Sequence, residues 1–286
     1  MKRILITGEN SYIGTSFEKW VMRFPDEYSV DTVSTLTDDW RECDFSKYDV
    51  VFNVAGIAHV DAKASIEGLY YKVNRDLCIE IAQKSKSEGV GQFVFMSSMI
   101  VFSNLTPLIT NETEPNPRNF YGNSKLQADN EIQKLNSDTF KVVSIRPPMV
   151  YGPNCKGNFQ RLYDFATSFP IFPDYTNQRS MIYIDNLCEF IKLIIDNNEH
   201  GIFYPQNREY VNVSEAVRLI AAINQKKPIM TKMFNKIIRL LLHRVNILNK
   251  VFGSYVYDKS MSNYHNFDYC VVDFKESIER IKEGKK

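Results

Sequence analysis

The stretch MKRILITGENSYIG, residues 1–14, decides the fold of this chain. Arg3–Thr7 is a short apolar run typical of a buried strand, and across Ser11–Arg23 the apolar residues recur at helical spacing. Gly8 follows the strand, where a tight turn requires a positive φ, and Gly14 lets the helix approach the strand closely. A strand, a glycine turn and a helix in this order predict a dinucleotide site, with the pyrophosphate at the helix N-terminus.

Strand-like and helix-like runs alternate through the first half of the chain. The further predicted strands are Tyr28–Ser34, Tyr48–Ala55, Gln92–Ser97 and Lys141–Arg146, and the predicted helices are Ile66–Glu88 and Tyr121–Leu135. Neighbouring parallel strands need a crossover of this length between them. The sequence therefore predicts an α/β chain with a Rossmann, doubly wound parallel sheet.

The pattern changes after Pro147 and Pro148, where further prolines break the chain into loops. A strand and a helix return at Met181–Asn197, and they are followed by mixed elements. These are a strand at Ile202–Tyr204 and helices at Ser214–Asn224 and Lys232–Leu248. We expect a Rossmann domain over residues 1–150, to which residues 178–200 return, and a smaller mixed C-terminal substrate lobe from residues 151–177 and 201–286.

Composition excludes several classes of function. The 286 residues carry a formal net charge of +1, which argues against a nucleic-acid partner. The five cysteines are scattered, which indicates reduced thiols in a cytoplasmic protein, and no histidine or cysteine spacing indicates a metal. The N-terminus lacks the pattern of a signal peptide, and no apolar run is long enough to predict a membrane span.

The stretch FNKIIRLLLHRVNILNKVF, residues 234–252, is both apolar and basic. A helix that lies on a membrane surface is one interpretation of this pattern. The pattern favours the alternative, an amphipathic helix packed in the smaller lobe with its lysines and arginines in solvent.

A candidate catalytic set lies downstream of the glycine turn. Tyr121 and Lys125 are four residues apart on a predicted helix and so share one face. Ser97 and Ser98 stand at the end of a predicted strand. A tyrosine is a poor base at its ordinary pKa of about 10, and a nearby ammonium group favours the phenolate. The set predicts hydride transfer at a carbinol or ketone carbon, with Tyr121 as acid and base and Ser98 on the reacting oxygen.

The choice between NAD and NADP depends on the end of the second strand. An acidic residue there binds the ribose 2′-hydroxyl and favours NAD. That position falls near Ser34, while Asp31 is expected in mid-strand and Arg41 is the nearest basic residue. The missing acid favours NADP slightly over NAD.

These motifs resemble the extended short-chain dehydrogenase/reductase family, in its NAD-dependent epimerase/dehydratase type. The resemblance rests on TGxxxxIG, NVAG at 53–56, VN at 73–74, VFMSS at 94–98, YxxxK at 121–125 and RPPMVYGP at 146–153. It implies that Lys125 also contacts the nicotinamide ribose and that Asn74 orients the catalytic helix. It further implies a cofactor site made of Gly8, Asn10, Ser11, Tyr12, Ile13, Gly14, Ser34, Asp44, Phe45, Ala55, Gly56, Asn74, Ser97, Tyr121, Lys125, Pro148 and Val150.

Within that family the chain is most similar to the nucleotide-sugar epimerases and reductases. The stretch RPPMVYGPNCKGNF, residues 146–159, resembles their substrate loop, and the resemblance implies that Asn158 and Arg179 bind the diphosphate. Sugar 4,6-dehydratases of this family carry an Asp-Glu pair where this chain has Met99 and Ile100, so water elimination is not expected.

The expected activity is NAD(P)-dependent 4-epimerisation of a UDP-hexose or UDP-N-acetylhexosamine. The alternatives are reduction of a UDP-4-keto-sugar and, less favoured, a non-catalytic NAD(P)-sensing regulator. In relatives the two long helices, Ile66–Glu88 and Tyr121–Leu135, pair between subunits, so we expect a homodimer.

Overall fold

The computed structural model describes residues 1–58, 66–242 and 244–284. A six-stranded sheet with the order β10-β6-β4-β3-β1-β2 forms its centre, and every neighbouring pair in it is parallel. The strands of this sheet and of three shorter strand pairs, numbered along the chain, are β1 (Lys2–Thr7), β2 (Tyr28–Val33), β3 (Val50–Asn53), β4 (Gln92–Met96), β5 (Leu108–Ile109), β6 (Lys141–Ile145), β7 (Met149–Tyr151), β8 (Ile171–Pro173), β9 (Met181–Tyr183), β10 (Gly201–Phe203), β11 (Ile229–Thr231) and β12 (Val256–Tyr257). The predicted Rossmann-type α/β fold is confirmed.

The described helices include the crossovers between the parallel strands of the sheet. They are α1 (Tyr12–Val21), α2 (Glu67–Tyr70), α3 (Leu77–Ser87), α4 (Phe120–Gln133), α5 (Asn158–Ser168), α6 (Ile184–Asp196), α7 (Val213–Ile223), α8 (Asn235–Leu241), α9 (Asn246–Phe252) and α10 (Phe274–Glu283). A π-helical turn, Tyr71–Asp76, joins α2 to α3. The predicted helix over Ile66–Glu88 is therefore present, with an irregular turn in its middle.

Burial explains why the sheet strands read as unbroken apolar runs. All residues of β3 and β4 are buried, as expected for strands covered on both faces. On one side of the sheet, Phe93 and Phe95 pack with Ile81 of α3 and Ile132 of α4, and Trp40 closes the same cluster. This packing fixes the positions of α3 and α4, and α4 carries the candidate residues Tyr121 and Lys125.

The chain divides into two compact units. The first contains Met1–Ser103, Glu114–Pro147 and Leu187–Pro205, and it holds the six-stranded sheet. The second contains Asn104–Thr113, Pro148–Asn186 and Gln206–Lys286. The predicted division of 1–150 plus 178–200 against the remainder differs from these units in its boundaries, most of all at residues 104–113.

Short parallel strand pairs and helices build the second unit. β5 pairs with β12, β7 with β9, and β8 with β11. The Tyr151 hydroxyl lies 2.9 Å from Ser277 Oγ, which ties β7 to α10. No helix among the described residues is both long enough and apolar enough to cross a membrane.

The prediction of one helix over Lys232–Leu248 is wrong. Two helices of seven residues occupy this region, α8 and α9. Val245, which precedes α9, has an extended backbone with φ −114° and ψ 107°. Asn249 and Phe252 of α9 are buried, so packing against the second unit overrides the continuous helical pattern of the sequence.

Candidate active site

The turn after β1 has a shape that only glycine fits at its first position. Gly8 has a φ of +105°, and a Cβ there would lie 2.7 Å from the backbone nitrogen of Ala55. Asn10 also has a positive φ, +60°. The Gly8 N–H donates to the carbonyl of Val33 at 3.1 Å, so the turn is tied to the end of β2. The backbone is thereby held in the concave form that a dinucleotide phosphate requires.

Ser11 is the N-cap of α1. Its Oγ accepts a hydrogen bond from the Gly14 N–H at 3.1 Å, and a Cβ on Gly14 would lie 2.5 Å from that oxygen. The Ser11 hydroxyl hydrogen makes no hydrogen bond within the described residues, so it can still donate to a phosphate. Tyr12 and Ile13 follow in the first turn of α1, where helix N–H groups lack intrahelical partners. The turn thus fits the pyrophosphate of a dinucleotide.

The loop after β3 runs alongside this turn. Asn53 Oδ1 accepts hydrogen bonds from the Thr7 hydroxyl at 2.9 Å and from the Ala55 N–H at 3.1 Å, which joins the ends of β1 and β3. A Cβ on Gly56 would lie 3.0 Å from Asn74 Oδ1 and 3.1 Å from Lys125 Nζ. Ala55 and Gly56 therefore lie between the glycine turn and the candidate catalytic lysine. Asn53 was not predicted as a site residue, although it directly precedes the VAG stretch.

The end of β2 carries neither an acidic side chain for the ribose 2′-hydroxyl nor a free basic side chain for a 2′-phosphate. Ser34 follows β2, and its Oγ accepts from the Leu36 N–H at 3.4 Å. Asp31 lies within β2, as expected, and accepts from the Tyr48 hydroxyl at 2.7 Å. Arg41 forms two hydrogen bonds to Glu80, of 2.6 and 2.7 Å, and also pairs with Asp38. Arg41 is thus held by carboxylates and does not offer a free cation to a 2′-phosphate.

Asp44 and Phe45, two neighbouring residues of the expected cofactor site, differ in exposure. The Asp44 carboxylate is exposed and accepts from the backbone N–H and the hydroxyl of Ser46, which lowers its pKa. Phe45 is fully buried in the core, and its N–H donates to Glu88 Oε2 at 2.6 Å. Its ring is therefore committed to the core, and the structure brings only Asp44 of this pair to the surface.

Ser98 and Tyr121 come together at the carboxyl end of β4. Ser98 caps a short 3₁₀ turn, Met99–Val101, by accepting from the Ile100 N–H at 3.3 Å. The side chains of Ser98 and Tyr121 are hydrogen-bonded to each other. Burial raises the pKa of the Tyr121 hydroxyl, and the bond to Ser98 only partly offsets this effect. The Lys125 ammonium and an oxidised nicotinamide were expected to favour the Tyr121 phenolate, whereas in the chain by itself desolvation dominates and the pKa of Tyr121 is raised.

Lys125 is buried one turn after Tyr121. Its Nζ donates to the carbonyl of Met96 at 2.9 Å and lies 4.6 Å from the centre of the Phe95 ring. Burial lowers the pKa of Lys125 to about 8, which is well below the ordinary value of a lysine. The fold thus holds the ammonium of Lys125 beside the end of β4, where it loses its proton more readily than an exposed lysine does.

Asn74 lies on the π-helical turn and joins three parts of the first unit. Its Oδ1 accepts from the Ile57 N–H at 2.8 Å, and its Nδ2 donates to the Ile57 carbonyl at 3.1 Å and to Ser124 Oγ at 3.2 Å. The side chain is fully buried. π-Turns are frequent at functional sites. Here the turn places the Asn74 side-chain amide where it bonds both to the loop after β3 and to α4.

A buried ion pair lies behind the candidate catalytic residues. Asp129, one turn after Lys125 on α4, accepts from Ser97 Oγ at 2.8 Å and from Arg146 Nε at 2.9 Å. Both charged side chains are almost wholly buried. Ser97, expected in the cofactor site, thus donates to Asp129. The Asp129–Arg146 ion pair was not predicted, because its two residues lie on separate elements.

The remaining predicted site residues lie in the second unit. Asn158 is exposed at the start of α5, Pro148 directly precedes β7, and Val150 is the middle residue of β7. Arg179 is half-buried. Its guanidinium donates to the Gly253 carbonyl at 3.1 Å and lies 5.6 Å from the Tyr255 ring centre. Its backbone N–H and carbonyl bond to Val211, so Arg179 is held within the fold.

A family model described as the NAD dependent epimerase/dehydratase family matches residues 4–205. The chain belongs to this family. It is an NAD(P)-dependent enzyme of the extended short-chain dehydrogenase/reductase type, related to nucleotide-sugar epimerases.

Named relatives agree with this placement. A UDP-glucose 4-epimerase from Vibrio cholerae is 30% identical over 249 residues, which cover 77% of this chain and 75% of the relative. A relative from Escherichia coli O157:H7, named N-acetyl-α-D-glucosaminyl-diphospho-ditrans,octacis-undecaprenol 4-epimerase, is 28% identical over 57% of this chain and 51% of its own. The crystal structure of UDP-N-acetylglucosamine 4-epimerase from Bacillus cereus has the same fold, with a TM-score of 0.78, 15% identity and 98% of each chain covered.

Proposed function

We propose that this family member is a nucleotide-sugar 4-epimerase that acts on a UDP-hexose or UDP-N-acetylhexosamine through a transient 4-keto sugar. The observation that carries the proposal is the grouping of Ser98, Tyr121 and Lys125. Tyr121 is hydrogen-bonded to Ser98, and Lys125 lies one helical turn away, beside Gly56. This is the arrangement that proton transfer at a sugar hydroxyl requires.

Tyr121 is the proposed acid and base. It takes the proton of the C4 hydroxyl while the C4 hydrogen leaves as hydride, and it returns the proton when hydride comes back to the opposite face of C4. A bound oxidised nicotinamide supplies the hydride acceptor and a positive charge that favours the Tyr121 phenolate. That charge is needed in this chain, because burial by itself raises the pKa of Tyr121.

Ser98 is proposed to hold the reacting oxygen. Its Oγ already meets Tyr121, so an oxygen bound to one lies within reach of the other. The next residues, Met99 and Ile100, form an apolar 3₁₀ turn with Met99 buried. No carboxyl group stands there to assist the loss of water, which supports epimerisation over dehydration.

Asn158 and Arg179 are proposed to bind the sugar diphosphate. Asn158 begins α5, an eleven-residue helix whose first turn contains no acidic residue. One Arg179 N–H donates to Gly253, and within the described residues its other N–H groups have no side-chain acceptor. A guanidinium with spare donors suits a diphosphate. The diphosphate is common to UDP sugars and to the undecaprenol-linked sugar named for the Escherichia coli relative.

We propose NADP(H) as the preferred cofactor, because Ser34 stands where an acid would favour NAD. Arg41 does not strengthen this proposal, since Glu80 and Asp38 hold it. Fluorescence titration of the cofactor-free protein tests the choice. NADP(H) is expected to bind at least as tightly as NAD(H). A tenfold or greater preference for NAD(H) would overturn the proposal.

A homodimer through α3 and α4 is also proposed. Leu69 of α2, within the predicted helix Ile66–Glu88, is 48% exposed and offers apolar surface to such a contact. Light scattering at high protein concentration is expected to give twice the chain mass of 33.2 kDa. A mass equal to one chain would overturn the dimer.

Turnover of purified protein with UDP-glucose and with UDP-N-acetylglucosamine tests the reaction. Interconversion with the 4-epimer, without stoichiometric use of cofactor, is expected. Tyr121→Phe should reduce it by about a hundredfold to ten-thousandfold while cofactor binding is retained. Loss of NAD(P)H equal to the 4-keto sugar consumed would instead assign a reductase. Tight cofactor binding with no turnover of any sugar would favour the regulator.

A further inference from the structure

A long part of the second unit carries positive charge without any negative charge. Residues 216–257 contain eight lysines and arginines and no aspartate or glutamate. Because the whole chain has a net charge of only +1, the rest of it is net acidic. Seven of the eight cations lie within residues 226–250, which we call the basic segment. They are Lys226, Lys227, Lys232, Lys236, Arg239, Arg244 and Lys250.

The basic segment is anchored to the second unit by one side. Ile238 of α8 and Asn249 of α9 are buried, and Phe252 at the end of α9 packs its ring 5.8 Å from that of Phe172 and 5.5 Å from that of Tyr175. The Asn235 side chain donates to the Asp174 carbonyl at 2.9 Å. These contacts hold α8 and α9 against the second unit by one side. The side chains on the opposite side remain exposed.

The outer side of the segment is apolar as well as basic. Met233, Ile237 and Leu240 are 74%, 58% and 69% exposed. Ile237 and Leu240 are three residues apart on one face of α8, and Met233 lies in the turn that precedes the helix. Ile247 of α9 is 61% exposed. Sequence pattern favours a helix that buries its apolar face, whereas these apolar side chains face outward.

The apolar surface continues onto the neighbouring strand pair. Ile229 of β11 is the register partner of Ile171 in β8, and the two side chains are 63% and 47% exposed. Phe169, at the end of α5, is 55% exposed. Large apolar side chains that share one surface indicate an interaction site, unlike scattered exposed residues.

The cations beside these apolar side chains are not neutralised within the described part of the chain. Lys232, Lys236 and Arg239 each stand one residue ahead of Met233, Ile237 and Leu240, respectively. None of these three makes an ion pair with a described residue, in contrast to Arg218, which pairs with Asp174 at 2.8 Å. A row of unpaired cations therefore runs along a row of exposed apolar side chains.

We propose that the basic segment docks this enzyme on the surface of an anionic lipid bilayer. Apolar side chains enter the boundary between headgroups and acyl chains, while lysines and arginines meet anionic headgroups. A second copy of the chain does not suit this surface, because a two-fold contact would bring the same cations together. A nucleic acid pairs with the cations but leaves Met233, Ile237 and Leu240 without an apolar partner.

Sedimentation of the full chain with lipid vesicles tests the proposal. The protein is expected to bind vesicles of phosphatidylcholine mixed with phosphatidylglycerol, to bind pure phosphatidylcholine vesicles much more weakly, and to be released by high salt. Failure to sediment with the anionic vesicles at low salt would overturn it. Capture by an acidic polypeptide such as polyglutamate, without binding to the vesicles, would assign the surface to an acidic protein partner instead.

Two variants separate the contributions of charge and apolar contact. Lys232→Gln/Lys236→Gln/Arg239→Gln should weaken anionic-vesicle binding by about a hundredfold, since each cation near the surface contributes roughly a fivefold factor. Ile237→Asn/Leu240→Asn should weaken binding while the salt dependence remains. The matched control Lys19→Gln/Lys134→Gln/Lys275→Gln removes three exposed cations elsewhere. If the control lost vesicle binding to the same extent, net charge alone would be responsible, and the basic segment would not be the docking surface.

The apolar variant has its own control. Met22→Asn/Val271→Asn replaces two exposed apolar residues outside the segment, which are 62% and 46% exposed. It is expected to bind vesicles as the parent does. Turnover of UDP sugars in the absence of lipid should be unchanged in all these variants, because none of the replaced residues belongs to the proposed catalytic or binding set. Failure of the proposed epimerase reaction would leave the vesicle result unaffected.

Discussion

Asp129 and Arg146 form an ion pair inside the first unit, with 2.9 Å between Asp129 Oδ2 and Arg146 Nε. The same carboxylate oxygen accepts from Ser97, which precedes Ser98 in the chain. Since Asp129 lies on α4 one turn after Lys125, the pair connects α4, the end of β4 and the end of β6. It therefore ties α4, which carries Tyr121 and Lys125, to the ends of two sheet strands.

Asp129→Asn should strongly destabilise the protein, because it leaves the Arg146 charge buried without a counter-ion. We expect a loss of about 3–5 kcal/mol in the free energy of unfolding, measured by urea denaturation. The exposed pair of Arg41 and Asp38 offers a control, since Asp38→Asn should cost far less than Asp129→Asn. A cost for Asp129→Asn as small as that of the control would contradict the role of the buried pair.

Lys125→Met should raise the stability of the protein below pH 8. The pKa of Lys125 is about 8 in the fold, below its ordinary value, so in this range the fold must bury a charged lysine. This cost is present in full below pH 8 and disappears as the pH rises through the ordinary lysine pKa of about 10.4. The difference in melting temperature between Lys125→Met and the parent, measured from pH 6 to about 10.5, should therefore shrink with rising pH. A difference that is constant with pH would rule out the buried charge as its cause.

Tyr121 should remain protonated at and above its ordinary pKa of about 10 in the cofactor-free protein, because burial raises its pKa. The measurement is the phenolate absorbance of the parent minus that of Tyr121→Phe, followed by pH titration. Addition of oxidised cofactor should move this difference to lower pH. An unchanged titration would mean that the cofactor charge does not reach Tyr121.

Gly8→Ala should reduce cofactor affinity and stability together. The new Cβ would lie 2.7 Å from the Ala55 nitrogen, at a residue whose φ is +105°. Gly89 provides a matched control, since it also has a positive φ, +80°, while a Cβ there would meet no atom within 4 Å. Gly89→Ala should show only the backbone strain, of about 1–3 kcal/mol in unfolding free energy. Calorimetric cofactor titration of both variants separates the loss of cofactor affinity from the backbone strain. If Gly8→Ala bound cofactor as tightly as Gly89→Ala, the turn at Gly8 would not be part of the cofactor site.

The features that sequence predicts well here are local. The strands β1, β4 and β6 follow from apolar runs, and Gly8 and Gly14 follow from the turn that joins β1 to α1. Tertiary features were missed for a physical reason. The Asp129–Arg146 pair joins residues on a helix and a strand, the raised pKa of Tyr121 depends on burial, and the break before α9 depends on the packing of Asn249 and Phe252. The catalytic and binding roles of Ser98, Tyr121, Lys125, Asn158 and Arg179 stay predictions.

The π-helical turn at Tyr71–Asp76 makes the chain length of this region critical. A π-turn holds one more residue than the α-helical turn it replaces. Deleting Lys72, which is exposed, would let the segment relax to a regular α-helical turn between α2 and α3 and would change the direction of Asn74 within it. Asn74 would then lose its aim at Ile57 or at Ser124, although no contacting residue had been replaced. This helix therefore tolerates substitution at its surface better than any change in residue count.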